Sequence, residues 1–242
     1  MSKRPENRMA CCAVLSASSA LCFLLLLPSV LTAQPVLTNI AQIRATPAAD
    51  AEKGIPVRVR AVVTYYESKW HTLFVHDGTG GVYVGFKTRR PRTTYEPGQL
   101  LEIEGVTGPG FVPIVKEQTI RVLGTNSLPQ PIPVTFDQLV TGRVDAQWVE
   151  IEAVVRDTWI EWERLMITLA HGSGRFSTHL PLPSDKTLPT HLVGTRVKVR
   201  GVSAMVLNQK EQVIGARLFV PGTQHFTVVD AAPSDPLSLP LR

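Results

Sequence analysis

Beyond residue 22 the sequence has no cysteine: Cys11, Cys12 and Cys22 are the whole complement of a 242-residue chain. A small secreted domain held by disulfides spreads its cysteines through its body. Cysteine-ligated zinc and iron–sulfur sites also need clusters of them. Those classes are excluded. Histidine is sparse too. His71, His76, His171, His179, His191 and His225 include no pair at helical metal-ligand spacing and none in a nucleophile motif. Each reads as a neutral strand or surface histidine. No metal site, cofactor or catalytic residue is expected, and the chain reads as a non-enzyme. The glycines of Asp77-Gly78-Thr79-Gly80-Gly81 lack phosphate-loop spacing and join two strands, whereas a phosphate cradle opens a helix. Asp77 is read as an Asx-type turn residue. Charged residues make up only 19% and hydrophobic residues 44%, the balance of a globular chain rather than a disordered one.

Long hydrophobic runs are also missing, except at the start. Lys3, Arg4 and Arg8 precede an apolar stretch with four consecutive leucines, Leu24 to Leu27. Pro28 and Ser29 follow, and Ala33 is a small residue suited to cleavage. This is the layout of a secretory signal peptide over residues 1–33. The rival, an uncleaved membrane anchor, has too short an apolar run, since spanning takes ~20 residues. Cleavage after Ala33 removes three basic residues and one acid. That leaves 209 residues, 22 basic and 19 acidic side chains, a net charge of +3 and no thiol. The expected location is the periplasm or the exterior.

What the body does contain is a repeat. VRVRAVVT from Val57 returns as VEIEAVVR from Val149, 92 residues later. GQLLEIEGVT from Gly98 returns as GTRVKVRGVS from Gly194, 96 residues later. Two nearly equal offsets mean one ordered unit used twice. Each copy follows a short helical pattern: LTNIAQIR (residues 37–44) and VTFDQLV (residues 134–140). In the second, Thr135 and Gln138 have capping-box spacing.

Within the first unit, Val57, Val59, Ala61 and Val63 alternate with Arg58, Arg60 and Val62, the period of a half-buried strand. Further strands are expected over residues 73–76, 82–86, 100–107 and 114–123. The second unit repeats them over 149–157, 164–170, 174–180, 196–203 and 212–220. Five strands, with the longest connection between the third and fourth, predict a five-stranded Greek-key barrel of the oligonucleotide/oligosaccharide-binding (OB) type. The fold class is therefore all-β with short helices: two tandem OB-like barrels. The first spans 34–124 and the second 134–230. Residues 125–133, rich in proline, read as a linker, and 231–242 as a linker-like tail.

The pieces YY…LFVHDGTGGVYVGF, GQLLEIEGVTGPGFVPIV, FDQLVTGRVDAQWVEIEAVVR and VRGVSAMVLNQKEQVIGARLFVP together resemble the extracytoplasmic N-terminal region of certain bacterial membrane-bound sensor histidine kinases. The resemblance covers about residues 36–242. It implies a sensory input module of OB-like units that binds a small ligand or a periplasmic protein. That family follows the region with a membrane helix and kinase domains, which these 242 residues do not contain. A free-standing binder and a piece of a longer reading frame are the two alternatives. Membrane contact is expected only through an uncleaved leader or a C-terminal extension.

The second functional reading is an OB protein that binds single-stranded nucleic acid or oligosaccharide on the face of strands 2 and 3. Tyr66, Trp70, Phe74 and Tyr83 are candidate contacts there, beside Tyr65. Arg89 is the candidate from the cationic run Lys87, Arg89, Arg90, Arg92. The cleft between the units is the alternative position. Charge counts against nucleic acid. Arg58 and Arg60 on strand 1 are expected opposite Glu102 and Glu104 on strand 4. In the second unit the signs are swapped, Glu150 and Glu152 against Lys198 and Arg200. Cross-strand ladders of this kind set register and add only about 0–1 kcal/mol per pair. Trp148 is expected as a core or interdomain plug. Trp159 and Trp162 are placed in a loop, packed beneath their own barrel in the favoured reading and exposed for carbohydrate or protein contact in the alternative.

Overall fold

Alternating valines drive the first barrel. In a computed structural model of the chain, which describes residues 35–86, 93–182, 188–210 and 212–231, β1 (Pro56–Glu67) turns Val57, Val59, Ala61 and Val63 inward and leaves Arg58 and Arg60 exposed. It pairs with β2 (Thr72–His76), which pairs with β3 (Gly81–Gly85). β4 (Gln99–Gly108) lies on the other side of β1, and β5 (Ile114–Thr125) bridges β4 to β3. The order β1-β2-β3-β5-β4 closes on itself, with β3 and β5 parallel. Leu73, Val75, Val84, Leu101, Ile103 and Val115 fill the interior.

The second barrel repeats this ring. β7 (Trp148–Glu161), β8 (Arg164–His171), β9 (Gly174–Pro181), β11 (Val213–Phe219) and β10 (Arg196–Leu207) follow in that order, and β10 returns to β7. β9 and β11 are again parallel. Even the irregularities recur. β1 is bulged between Val63 and Tyr65, and β7 between Val155 and Asp157, 92 residues on. The fold is two tandem five-stranded OB-like barrels with few short helices, as the repeat predicts.

The leading segments are built alike. Leu37 bridges Val57 in parallel, and β6 (Ile132–Pro133) pairs with β7 in the same way. A capped helix follows each: α1 (Ile40–Ala45), with Asn39 accepting from the Gln42 amide, and α3 (Phe136–Leu139), with the Thr135–Gln138 capping box complete. A further turn, α2 (Ala48–Ala51), precedes β1. Asp77 is the expected turn residue: its Oδ1 accepts from the Thr79 and Gly80 amides, and its Oδ2 from the Ile40 amide at the start of α1.

The charge ladders form as the swapped signs require. Arg58 lies opposite Glu104 and Arg60 opposite Glu102; Lys198 lies opposite Glu152 and Arg200 opposite Glu150. Glu102 contacts Arg58, Arg60 and Arg121 at 3.2–3.6 Å.

Some expectations need correction. The 125–133 linker is in part sheet, because β5 runs to Thr125 and Ile132–Pro133 adds to β7. Trp159 stands in β7 rather than in a loop, since β7 and β8 pair as far as Glu161 and Arg164. The last strand of the second barrel is split: β11 pairs with the end of β10, and a further strand, β12 (Phe226–Asp230), pairs with its start. The segment 1–33 and most of the tail lie outside the described residues. Among those described, no helix is long and apolar enough to cross a membrane.

Candidate functional site

The two barrels use the same face differently. On the first, the outward residues of β1, β2 and β3 include Tyr65, Phe74 and Tyr83, which register side by side. This is the strand 2–3 face on which a ligand is expected. It is covered by the second barrel. Phe219 packs 5.0 Å from Tyr65 and 5.6 Å from Phe74, and Trp148 and Val202 complete a buried cluster. Trp148 is thus the interdomain plug foreseen. Polar contacts tie the same junction: Arg44 donates to the carbonyls of Gly81 (2.9 Å) and Asp145 (2.7 Å), and the Gly81 amide donates to Gln147 Oε1.

The five sequence candidates therefore part company. Phe74 is buried at 5% exposure, and Tyr83 packs beside it with its hydroxyl on the His71 carbonyl. Phe74 is taken up by the junction, where packing against the second barrel removes its ring from water, and Tyr83 is partly buried beside it. Tyr66 joins a separate aromatic group with Phe86 and Tyr95 and donates to the Thr93 carbonyl. Trp70 is half exposed. Arg89 and its cationic neighbours lie outside the described residues.

The corresponding face of the second barrel borders a groove, although Arg164, Met166 and His179 on it are themselves largely buried. Outward from β8 come Arg164 and Met166, from β9 Ser177 and His179, and from β11 Arg217; Met166 registers with His179 and Ser177 with Arg217. These residues line a groove of about 430 Å³. Val206 closes one side, and Trp70, Glu161 and Trp162 form the rim. Trp162 is 68% exposed and meets Trp70 edge-on at 5.9 Å, so it does not pack beneath its own barrel. It shares with Trp159 the carboxylate of Glu161 as an indole acceptor.

The electrostatics of the groove are unbalanced. Arg164 is paired with Glu67 of β1. Among the described residues Arg217 has no carboxylate partner, and its Nε and the Nδ1 of His179 are buried with no hydrogen bond. Burial, and then the neighbouring Arg164 charge, lower Arg217 from its ordinary pKa. Burial, Arg217 and Arg164, in that order, lower His179 to about 3, so its imidazole is neutral at neutral pH. Buried polar atoms without partners are costly. Glu67 offsets Arg164 and Glu161 also lines the groove, so what it offers a ligand is the unbonded Arg217 Nε beside a neutral imidazole.

A larger cleft of about 480 Å³ lies between the barrels, bordered by Tyr65, Tyr66, Tyr95 and Leu180. Of its charged lining, Glu67 and Arg164 satisfy each other, and Glu163 pairs with Lys69. Among the described residues, no group of acids, histidines or cysteines is placed to hold a metal ion.

No family model and no curated protein matches the chain. Solved structures resemble it at low identity. A putative aspartyl-tRNA synthetase from Leishmania major has 14% identity and a TM-score of 0.35, over 45% of this chain and 22% of that one. A murine DNA-binding protein bound to double-stranded DNA has 11% identity and a TM-score of 0.34, over 72% and 98%. The telomere capping protein Ten1 from Saccharomyces pombe has 22% identity and a TM-score of 0.28, over 36% and 78%. The chain spans about a fifth of the length of the synthetase.

Sequence reasoning missed Arg164, His179 and Arg217. The signal was present: His179 alternates with Ser177 and Arg175 along β9, the spacing of one strand face.

Proposed function

We propose that the chain is a tandem OB binding module that takes an anionic, ring-bearing chain molecule, with single-stranded nucleic acid the leading candidate, in the groove of its second barrel. The observation that carries this is the buried, unpartnered pair of Arg217 Nε and His179 Nδ1 beneath a rim of two tryptophans. A phosphate would accept from Arg217, and a base or sugar ring would stack on Trp162 or Trp70. Base–aromatic stacking contributes about 1–3 kcal/mol per base. The ladder residues that counted against nucleic acid, Arg58, Arg60, Glu102, Glu104, Glu150, Glu152, Lys198 and Arg200, do not line this groove, so they leave the reading intact. The first barrel acts as a platform.

The test is fluorescence anisotropy of a labelled oligothymidylate titrated with the full chain. Binding that weakens with salt, at a slope of about −0.7 per phosphate contact, and that Arg217→Ala and Trp162→Ala each reduce, supports the reading. No binding at low salt refutes its nucleic-acid form, and Arg217-dependent binding of an acidic oligosaccharide would replace it.

A second reading comes from the resemblance to sensor input regions. The groove volume is also that of a small-molecule site, so a small anion is its alternative occupant. Competition between inorganic phosphate and the oligonucleotide at millimolar phosphate favours that version.

A further inference from the structure

The groove and the clasp between the barrels share one side chain. Arg164 opens β8 at the groove edge, and its Nε donates to Glu67 Oε1 at 2.8 Å while a second arm meets Oε2. Glu67 ends β1 of the first barrel and also accepts from the Tyr65 hydroxyl at 2.9 Å. The same guanidinium lies 4.9 Å above the Trp70 ring, which in turn meets Trp162. Trp70 and Trp162 are equivalent residues, 92 positions apart, at the tips of equivalent turns. Lys69 and Glu163 pair beside them. With side chains only 11% and 20% exposed, Arg164 and Glu67 are far less hydrated than the Lys69–Glu163 pair.

That pair faces competition. Arg217 and Arg164 line one groove and repel each other, which is part of why Arg217 is lowered. An anion between them is attracted by both. A ligand with one negative group is satisfied by Arg217. A ligand with two neighbouring negative groups also offers Arg164 a carboxylate substitute.

We propose that an anionic ligand in the groove recruits Arg164 away from Glu67, so that ligand binding and the barrel–barrel clasp are coupled through one guanidinium. This rests on the groove reading above and adds its regulation. When Arg164 turns, Trp70 loses the cation over its face and the Trp70–Trp162 pair loses the group that orients it. Linkage makes the effect reciprocal: the factor by which bound ligand weakens the Arg164–Glu67 pair is the factor by which opening that pair strengthens ligand binding.

The experiment compares wild type, Glu67→Gln, Glu163→Gln and Arg217→Ala as full chains, with oligothymidylate as the probe. Glu67→Gln keeps an acceptor for Tyr65 but loses the charge that holds Arg164. Glu163→Gln makes the same charge change one turn away and serves as its control; thermal unfolding checks that each variant folds. Glu67→Gln is expected to tighten binding about five-fold or more, the low end of typical couplings, and Glu163→Gln much less. The exciton couplet of the Trp70–Trp162 pair in far-ultraviolet circular dichroism is expected to fall when wild type binds, and to be low already in Glu67→Gln. Arg217-dependent binding that is equal in Glu67→Gln and Glu163→Gln overturns the coupling and leaves the groove standing. Absence of Arg217-dependent binding in wild type overturns the groove reading itself.

Discussion

Phe74 of β2 and Phe219 of β11 lie with their rings 5.6 Å apart across the junction of the two barrels. That contact turns the expected ligand face of the first barrel into an internal surface.

Phe219→Ala is expected to destabilise the protein by about 3–5 kcal/mol, the range for truncating a buried phenylalanine. Phe219 lies in the junction rather than inside either barrel core, so the loss is expected to separate unfolding into two transitions. A double-mutant cycle with Phe74→Ala is expected to show a coupling of about 0.5–1.5 kcal/mol. Denaturant unfolding followed by tryptophan fluorescence measures both, and additive effects would show that the pair does not hold the barrels together.

Gly81 is tolerated only as glycine, because a Cβ there would overlap the Ala146 carbonyl of the other barrel. Gly81→Ala is expected to cost about 1–3 kcal/mol through overpacking and to enlarge the radius of gyration in X-ray scattering. Gly215→Ala, whose Cβ meets nothing within 4 Å, is expected to stay within about 0.5 kcal/mol of wild type.

His179 links stability to pH. Its folded pKa is about 3, against about 6.5 for an unperturbed histidine. Between those values the unfolded chain binds a proton that the folded chain refuses. Stability therefore falls as pH drops from about 6.5 towards 3, and the loss is of the order of a few kcal/mol. His179→Gln is expected to flatten this segment of the stability profile. A slope equal to that of wild type would show that His179 is not held neutral.

Glu102 acts on the acid side. The hydrogen bond from Arg58, with further help from Arg60, holds its carboxylate below the ordinary glutamate range. Its contribution is present above the ordinary pKa and fades as pH falls through the folded one. Glu102→Gln is expected to remove that part of acid destabilisation at low salt, and added salt is expected to shrink the difference because Arg58, Arg60 and Arg121 are exposed. Acid titrations of the two proteins at two ionic strengths measure it.

Local and periodic features were legible from residues alone. The 92-residue return of VRVRAVVT, the capping box at Thr135 and Gln138, and the opposed signs of Arg60–Glu102 and Lys198–Glu152 depend on neighbours along one chain segment or across one strand pair. The strand periods then determine which side chains point outward, and so the barrels themselves. What each outward face packs against is a different question. Phe74 in β2, and Met166 and His179 in β8 and β9, carry the same alternation and are all largely buried, yet Phe74 packs into the junction while the other two line a groove. The choice is made by the fit of Phe219, Trp148 and Val202 against Tyr65 and Phe74, side chains brought together from positions more than a hundred residues apart in sequence for Phe219. Such a contact has no period and leaves no pattern in the chain. The sequence by itself determined two OB-like barrels and their registers; only the tertiary packing, which joins side chains far apart in the chain, decided that Arg217 Nε and His179 Nδ1 would be buried without hydrogen bonds.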